Sequence, residues 1–575
     1  MPKLTNWIRS RFRAGWLLFV LVPAIAGPRL WAQQAGLGKI NFPTSGSAQA
    51  QVHFLRGVAA LHSFWFEEAL DAFRDSTRVD PDFMMGYWGE AMANNHPLWS
   101  EQDTAAGRKV IAKMGGTEKL TPKERAFIDA VKLLYGDGDK PARDRAYSEA
   151  MEKMYRQYPG DLEVAAFYAL SLLGTVRSED KSFRRQMQAG AIALDIYQKN
   201  PDHPGAAHYI IHAFDDPDHA VLALPAARRY ADIAPEAHHA RHMPSHIFLQ
   251  LGMWPEAAAS NQSAWAVSDA WVKSKGLPVS WRDYHSLHWL LYVYLQQGRQ
   301  SKAEELLSLM SKTMAKSKYE SKLRPNYYAN NYADMAAAFV VETERWDLAS
   351  KLFPRSQTNF EEQPEATVAA GQHAAHGGAA KPGDVTSRSS GASQILPLFI
   401  RGLAEARESP AEAEKSIAAL RAVGKQRRDS ADSTGTRIAK MLEIRISEIA
   451  AVAAAAKAHY SEAIEAMKRA TALEEELSPP SGPPGLIKPS HELLGEILLR
   501  AGRPKEAAQQ FAVSLRRQPN RARSLLGAAR SAAQSGDRAA ASAAYSNFLV
   551  QWKDADTGLP ELGEAHSYLE QASRR

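Results

Sequence analysis

Apolar residues recur at helical spacing along most of the chain, in stretches broken by short turns that carry glycine or polar residues. HFLRGVAALHSFWFEEALDAFRDSTRVDP (53–81) predicts two amphipathic helices around a tight turn. Gly57 and Ala69 let the helices approach, Phe73 fills the space between them, and Pro81 ends the second. HELLGEILLRAGRPKEAAQQFAVSLRRQPN (491–520) repeats the arrangement with Gly495, Gly502, Ala507, Phe511 and Pro519. Gly502, Ala507 and Phe511 return 34 residues later as Gly536, Ala541 and Tyr545, and Pro201 and Pro235 close two more helices at that same interval. Nothing alternates with the period of two that a strand requires. The expected class is all-α, a helix-turn-helix solenoid in two arrays separated by a flexible linker.

Breaks in the pattern set the expected boundaries. Residues 1–32 hold a basic start, Lys3, Arg9, Arg11 and Arg13, then the apolar run AGWLLFVLVPAIAG. They read as a Sec-type signal peptide and the start of the mature chain, with cleavage after Ala26 or Ala32. The run is shorter than the roughly 20 residues of a membrane span, so the expectation is an exported protein, periplasmic or secreted, with no stable span after cleavage. An N-terminal array occupies 47–354, and an Ala/Gly/Ser-rich linker 355–394. Helical repeats follow over 395–477, then the Pro-rich connector SPPSGPPGLIKP (478–489). C-terminal repeats and a capping helix fill 490–575.

Composition narrows the chemistry. The formal charge of +6 owes four of its positive charges to the first 13 residues, so no nucleic-acid partner is expected. Zero cysteines exclude disulfides, thiolate ligands and a cysteine nucleophile. The sequence contains no phosphate-cradling glycine loop, so no nucleotide cofactor is expected, and it offers no independent catalytic signature. It reads as a binding protein more readily than an enzyme, with no catalytic residue assigned.

These motifs resemble the long tetratricopeptide-repeat proteins exported by many bacteria. HYIIHAFDD (208–216), HMPSHIFLQLGMWPEAAASN (242–261) and HELLGEILLRAGRPKEA (491–507) are similar to blocks of a subgroup with an HMPSH-type motif. The resemblance implies a right-handed superhelix whose concave groove binds a protein or peptide partner. It implies no reaction.

HHARHMPSH (238–246) holds four of the chain's 18 histidines in nine positions. Numbering each repeat from the start of its first helix puts His208 and His212 at positions 5 and 9, and His242 and His246 at those positions one repeat on. These positions line the groove. A four-imidazole metal site of His208, His212, His242 and His246 is therefore expected, suited to Zn, Cu, Fe or Ni. His239 and His285 at position 2, His288 and Asp334 at position 5, and Asp215 and Asp216 in the following turn are possible additional groove ligands. Pro244 must either kink this helix or open it. Three readings compete with metal binding: a metal-dependent hydrolase or oxidoreductase, a histidine- and tyrosine-lined groove that takes an anionic or aromatic ligand without metal, and histidines that only pack in a peptide-binding groove.

Overall fold

The computed structural model describes residues 32–34, 36–116, 118–177, 180–317, 327–354, 384–427 and 433–574. The expected signal peptide before Ala32 and residues 355–383 of the expected linker lie outside the described residues. The remainder of that linker begins the helix Asp384–Glu408.

The chain is an all-α helix-turn-helix solenoid. Helices pack on their sequence neighbours, as in the pairs Ala48–His62 with Phe66–Val79, Pro204–Ala213 with Ala220–Ile233, and Ser490–Arg500 with Pro504–Arg517. The expected aromatic wedge is present in both arrays. A Cβ placed on Gly57 or Gly89 would lie 2.6 or 2.2 Å from the Phe73 ring, and on Gly495 or Gly527 2.7 or 2.2 Å from the Phe511 ring. Each phenylalanine thus sits between two successive first helices, held there by the missing side chains. The turn glycines Gly252, Gly298, Gly502 and Gly536 all have positive φ and stop the first helix of their pair.

Two short antiparallel ribbons correct the expectation of a strand-free chain: Ala32–Gln34 with Gly38–Ile40, and Asn95–His96 with Glu101–Gln102. Strands of two or three residues are too short to show an alternation. Among the described residues no helix is long and apolar enough to cross a membrane.

The two arrays are packed against each other. Asn520 O accepts from Trp254 Nε1 (2.9 Å), and Gln296 O accepts from Trp552 Nε1 (3.1 Å). Between them lies a buried ionic junction. Arg521 donates to Glu492 (2.7 Å) and to Tyr292 Oη (3.0 Å), and its guanidinium lies 2.6 Å from Glu342. Lys488 adds an ammonium 2.9 Å from Glu492. Every charge in this junction has an opposite neighbour, as burial demands. The Pro-rich connector lies across the groove face of the N-terminal array: Pro480 O accepts from Gln250 Nε2 (2.8 Å), and Gly482 presses on the Trp289 ring.

Candidate metal centre

Pro244 decides the local backbone. The first helix of its repeat splits into His238–His242 and Pro244–Gln250, with Pro244 in the first turn of the second piece, where its missing N–H costs nothing. His242 keeps its place at the end of the first piece and His246 its place on the second. The other first helices are unbroken, with His208 and His212 on Pro204–Ala213 and His285 and His288 on Tyr284–Gln296.

Six imidazoles meet on this face, grouped three and three. His208, His212 and His239 offer ring nitrogens that all lie within 4.8 Å of one another, and so do His242, His246 and His285. Each group takes positions 5 and 9 of one repeat and position 2 of the next. The groups adjoin, with ring centroids 5.9 Å apart for His212 and His246 and 6.0 Å for His239 and His242. Phe64 stacks on His212 and His239 at one side, and Trp289 lies 4.2 Å from His246 and 4.8 Å from His242 at the other.

Hydrogen bonds fix the protons. His208 Nδ1–H donates to the His62 carbonyl (2.7 Å), which can only accept. His242 Nδ1–H donates to Asn261 Oδ1 (2.7 Å), an amide oriented by its own Nδ2–H bond to Ala257 O. His246 Nδ1–H donates to Asp215 Oδ2 (2.6 Å), while Asp215 Oδ1 accepts from Gln250 (3.1 Å). In neutral rings this leaves a lone pair on each Nε2. His208 Nε2 faces His212 Nε2 at 3.0 Å, and His242 Nε2 faces His246 Nε2 at 3.2 Å. In neutral His242 and His246 two lone pairs at that distance repel unless a cation lies between them, whereas His212, whose Nδ1 is tied to no acceptor among the described residues, can turn its Nε2–H toward His208 Nε2. An ion about 2.0–2.1 Å from each nitrogen brings neighbouring donors about 3 Å apart.

The electrostatics favour the ligating form. Burial, reinforced by the neighbouring imidazoles, pushes His208 and His242 down to about 3 and holds His212, His239 and His285 well below the ordinary histidine value. His238 goes the other way. Although burial opposes its charge, the Asp283 carboxylate 3.1 Å away raises it.

The other candidates divide. Asp215 orients His246, as a carboxylate behind a ligating imidazole commonly does. Asp216 spends both oxygens on His219 Nδ1 (2.8 and 2.9 Å) and belongs to neither three-histidine group. His288 and Asp334 line a separate cavity of about 80 Å³ beneath Pro483 and Pro484. Burial pushes His288 down to about 4 and Asp334 up to about 6. A larger cavity of about 740 Å³ opens on His212 and Asp215 and carries Arg437, Lys440 and Arg517 on its walls. Sequence reasoning missed Phe64, Asn261 and Asp283. Phe64 and Asn261 lie on second helices or turns outside the groove register, and no spacing rule reaches them.

No protein-family model and no curated protein matches the chain. Solved structures with some likeness include Ypp1 (12% identity, 91% of this chain and 85% of that one, TM-score 0.41), human IFIT1 as a dimer (10%, 88% and 91%, 0.34) and yeast Tom70 (12%, 92% and 89%, 0.25). Superposition at that level says nothing about a ligand or a reaction.

Proposed function

We propose that this protein is a helical-repeat metal-binding protein whose groove imidazoles hold a transition metal, Zn, Cu, Fe or Ni. The observation that carries this reading is the pair of facing Nε2 atoms on His242 and His246, 3.2 Å apart, with both Nδ1 protons committed elsewhere. Neutral, thiolate-free nitrogen donors suit these ions and not Ca or Mg. Elemental analysis of protein purified without a histidine tag tests it. At least one equivalent is expected, lost in His242→Ala/His246→Ala; a content well below one equivalent, the same in that variant, removes the reading.

Around this site the solenoid serves as a scaffold for a protein or peptide partner. Connector residues 478–489 already cover the groove at Trp289, so the partner's share of the concave face lies beyond them. Export, expected from the basic and apolar start of the sequence, places that partner in the cell envelope. Crosslinking in intact envelope that recovers no partner removes this part.

One observation favours a second reading, a metal-dependent hydrolase or oxidoreductase: the cavity of about 740 Å³ that meets the site at His212 and Asp215. Small anions entering it would perturb the visible spectrum of the Co(II)-loaded protein. A spectrum indifferent to phosphate and carboxylates alike removes it.

A further inference from the structure

We propose that the imidazole cluster is a two-ion centre, in which His208, His212 and His239 hold one copper ion and His242, His246 and His285 hold a second, adjacent one. The proposal rests on the metal-binding reading above and deepens it.

Four observations support two ions over one. First, the donors sort by threes. Within each set one ring nitrogen from each residue lies within 4.8 Å of the other two, the span of three ligands around a single ion. Each facing Nε2 pair, His208–His212 and His242–His246, belongs to one set. Second, the sets are copies of one another. Each takes positions 5 and 9 of one repeat and position 2 of the next, so the solenoid's own translation carries the first set onto the second. The following register ends the series, with His288, Tyr292 and Asn331 in those places. Third, His239 Nε2 is buried with no hydrogen-bond partner, although its ring lies 5.0 Å from His208. A buried polar nitrogen left unpaired is costly unless something absent from the chain occupies it. A single ion shared by His208, His212, His242 and His246 would leave it orphaned; a three-imidazole site uses it. Fourth, the described carboxylates beside the cluster are committed elsewhere. Asp215 is committed to His246 Nδ1 and Gln250, and Asp283 to His238.

Three imidazoles leave one position of a four-coordinate ion unfilled. The sets meet at His212 against His246 and at His239 against His242, both about 6 Å between ring centroids. In the proposed centre the unfilled positions are placed at this seam, where a small anion such as hydroxide or azide would bridge the two ions. All-imidazole donor sets without thiolate or carboxylate are well matched to copper, which also binds nitrogen donors most tightly among the divalent first-row ions.

Untagged full-length protein is loaded with Cu(II), freed of excess metal and assayed for copper, with electron paramagnetic resonance on the same samples. Two equivalents are expected in the wild type and one in either His239→Gln or His285→Gln. Spin intensity is expected well below the copper content, because a bridged pair couples its electrons, and azide should perturb both ions together. One equivalent unchanged by His239→Gln and His285→Gln overturns the two-ion centre and leaves the metal-binding reading standing. No bound copper overturns the two-ion centre; only if zinc, iron and nickel also fail to bind does the reading beneath it fall. Two equivalents with full spin intensity overturn the bridged arrangement. If a variant does not fold, the wild-type stoichiometry and spin intensity decide alone.

Discussion

Two groups of buried imidazoles lie side by side and share one residue. His62 contributes its ring to the first, with Glu163 and His203, and its backbone carbonyl to the second, where it holds His208 Nδ1. In the first group a carboxylate sits at the centre. Glu163 accepts from His62 Nε2 (2.9 Å) and from the Asn41 N–H (3.3 Å) and lies 3.4 Å from His203 Nε2. His62 Nδ1 meets Tyr209 Oη at 2.8 Å, and His203 Nδ1 accepts the Ala206 N–H at 3.1 Å. Burial pushes the Glu163 carboxyl up, but the fields and hydrogen bonds of His203 and His62 outweigh it and hold the group well below the usual range. That group supplies its own anion. The groove sets have none among their donors, and in neutral rings His242 and His246 point their Nε2 lone pairs at one another. The lesson is that closeness of histidines does not distinguish a packed cluster from a binding site. The location of the protons does.

Several measurements would break or sharpen this contrast. The largest effect belongs to closed charge clusters. Arg521→Ala strips buried Glu342 of its cation and leaves Glu492 with Lys488 alone, and should cost about 3–5 kcal/mol in denaturant unfolding. Glu163→Ala should likewise destabilise while leaving metal content unchanged. Loss of metal with no loss of stability in Glu163→Ala would make the first group a site as well.

Acid titration of the metal-free protein comes next. The folded values of His208 and His242 lie near 3, below the ordinary 6.5, so the unfolded chain takes up protons first. Their contribution is complete above pH 6.5 and is lost as pH falls toward 3, by about 1.4 kcal/mol per pH unit for each group. Asp334 has the opposite sign. Raised to about 6, it contributes below its ordinary value and loses that contribution as pH rises through 6. Because the imidazoles outnumber it, Tm measured with a chelator should drop below pH 6.5, and bound metal should protect against the drop. A flat profile would show that the groove imidazoles are not held neutral.

A smaller effect is expected behind the ligands. Asp215→Asn removes the carboxylate charge that accepts from His246 Nδ1–H and should weaken metal binding by about 10–100-fold, read by competition with a chromophoric chelator. Unchanged affinity would make Asp215 a purely structural partner. The smallest belongs to the connector. A Cβ at Gly482 would lie 2.5 Å from the Trp289 ring, so Gly482→Ala should lift the strap at a cost of about 1 kcal/mol, seen as altered Trp fluorescence. An unaltered spectrum would place the strap away from the site in solution.

Much of the candidate cluster was legible in the sequence because a repeat turns spacing into position. His208, His212, His242 and His246 fell into register through Gly252 and Pro201, and His239 and His285 through the same numbering. Their division into threes was not legible. Position 2 of one repeat meets positions 5 and 9 of the preceding one only after the helices stack, and a break at Met243 sits within the second set. Asp216, expected in the turn, and Asp334, expected at position 5, had the right residue type, but Asp216 bonds His219 and Asp334 lines a separate cavity. The fold itself was legible apart from the two short ribbons and the packing of one array on the other.

The amino-acid order by itself determined the helical solenoid and its period, because small residues, aromatics and turn glycines act through neighbours a few positions away. Only the tertiary structure decided that residues 478–489 strap the groove, that Arg521 and Glu492 join the arrays, and that six imidazoles gather by threes. Those outcomes depend on contacts between segments far apart in the chain, where burial and the available proton partners, not spacing, choose among the arrangements.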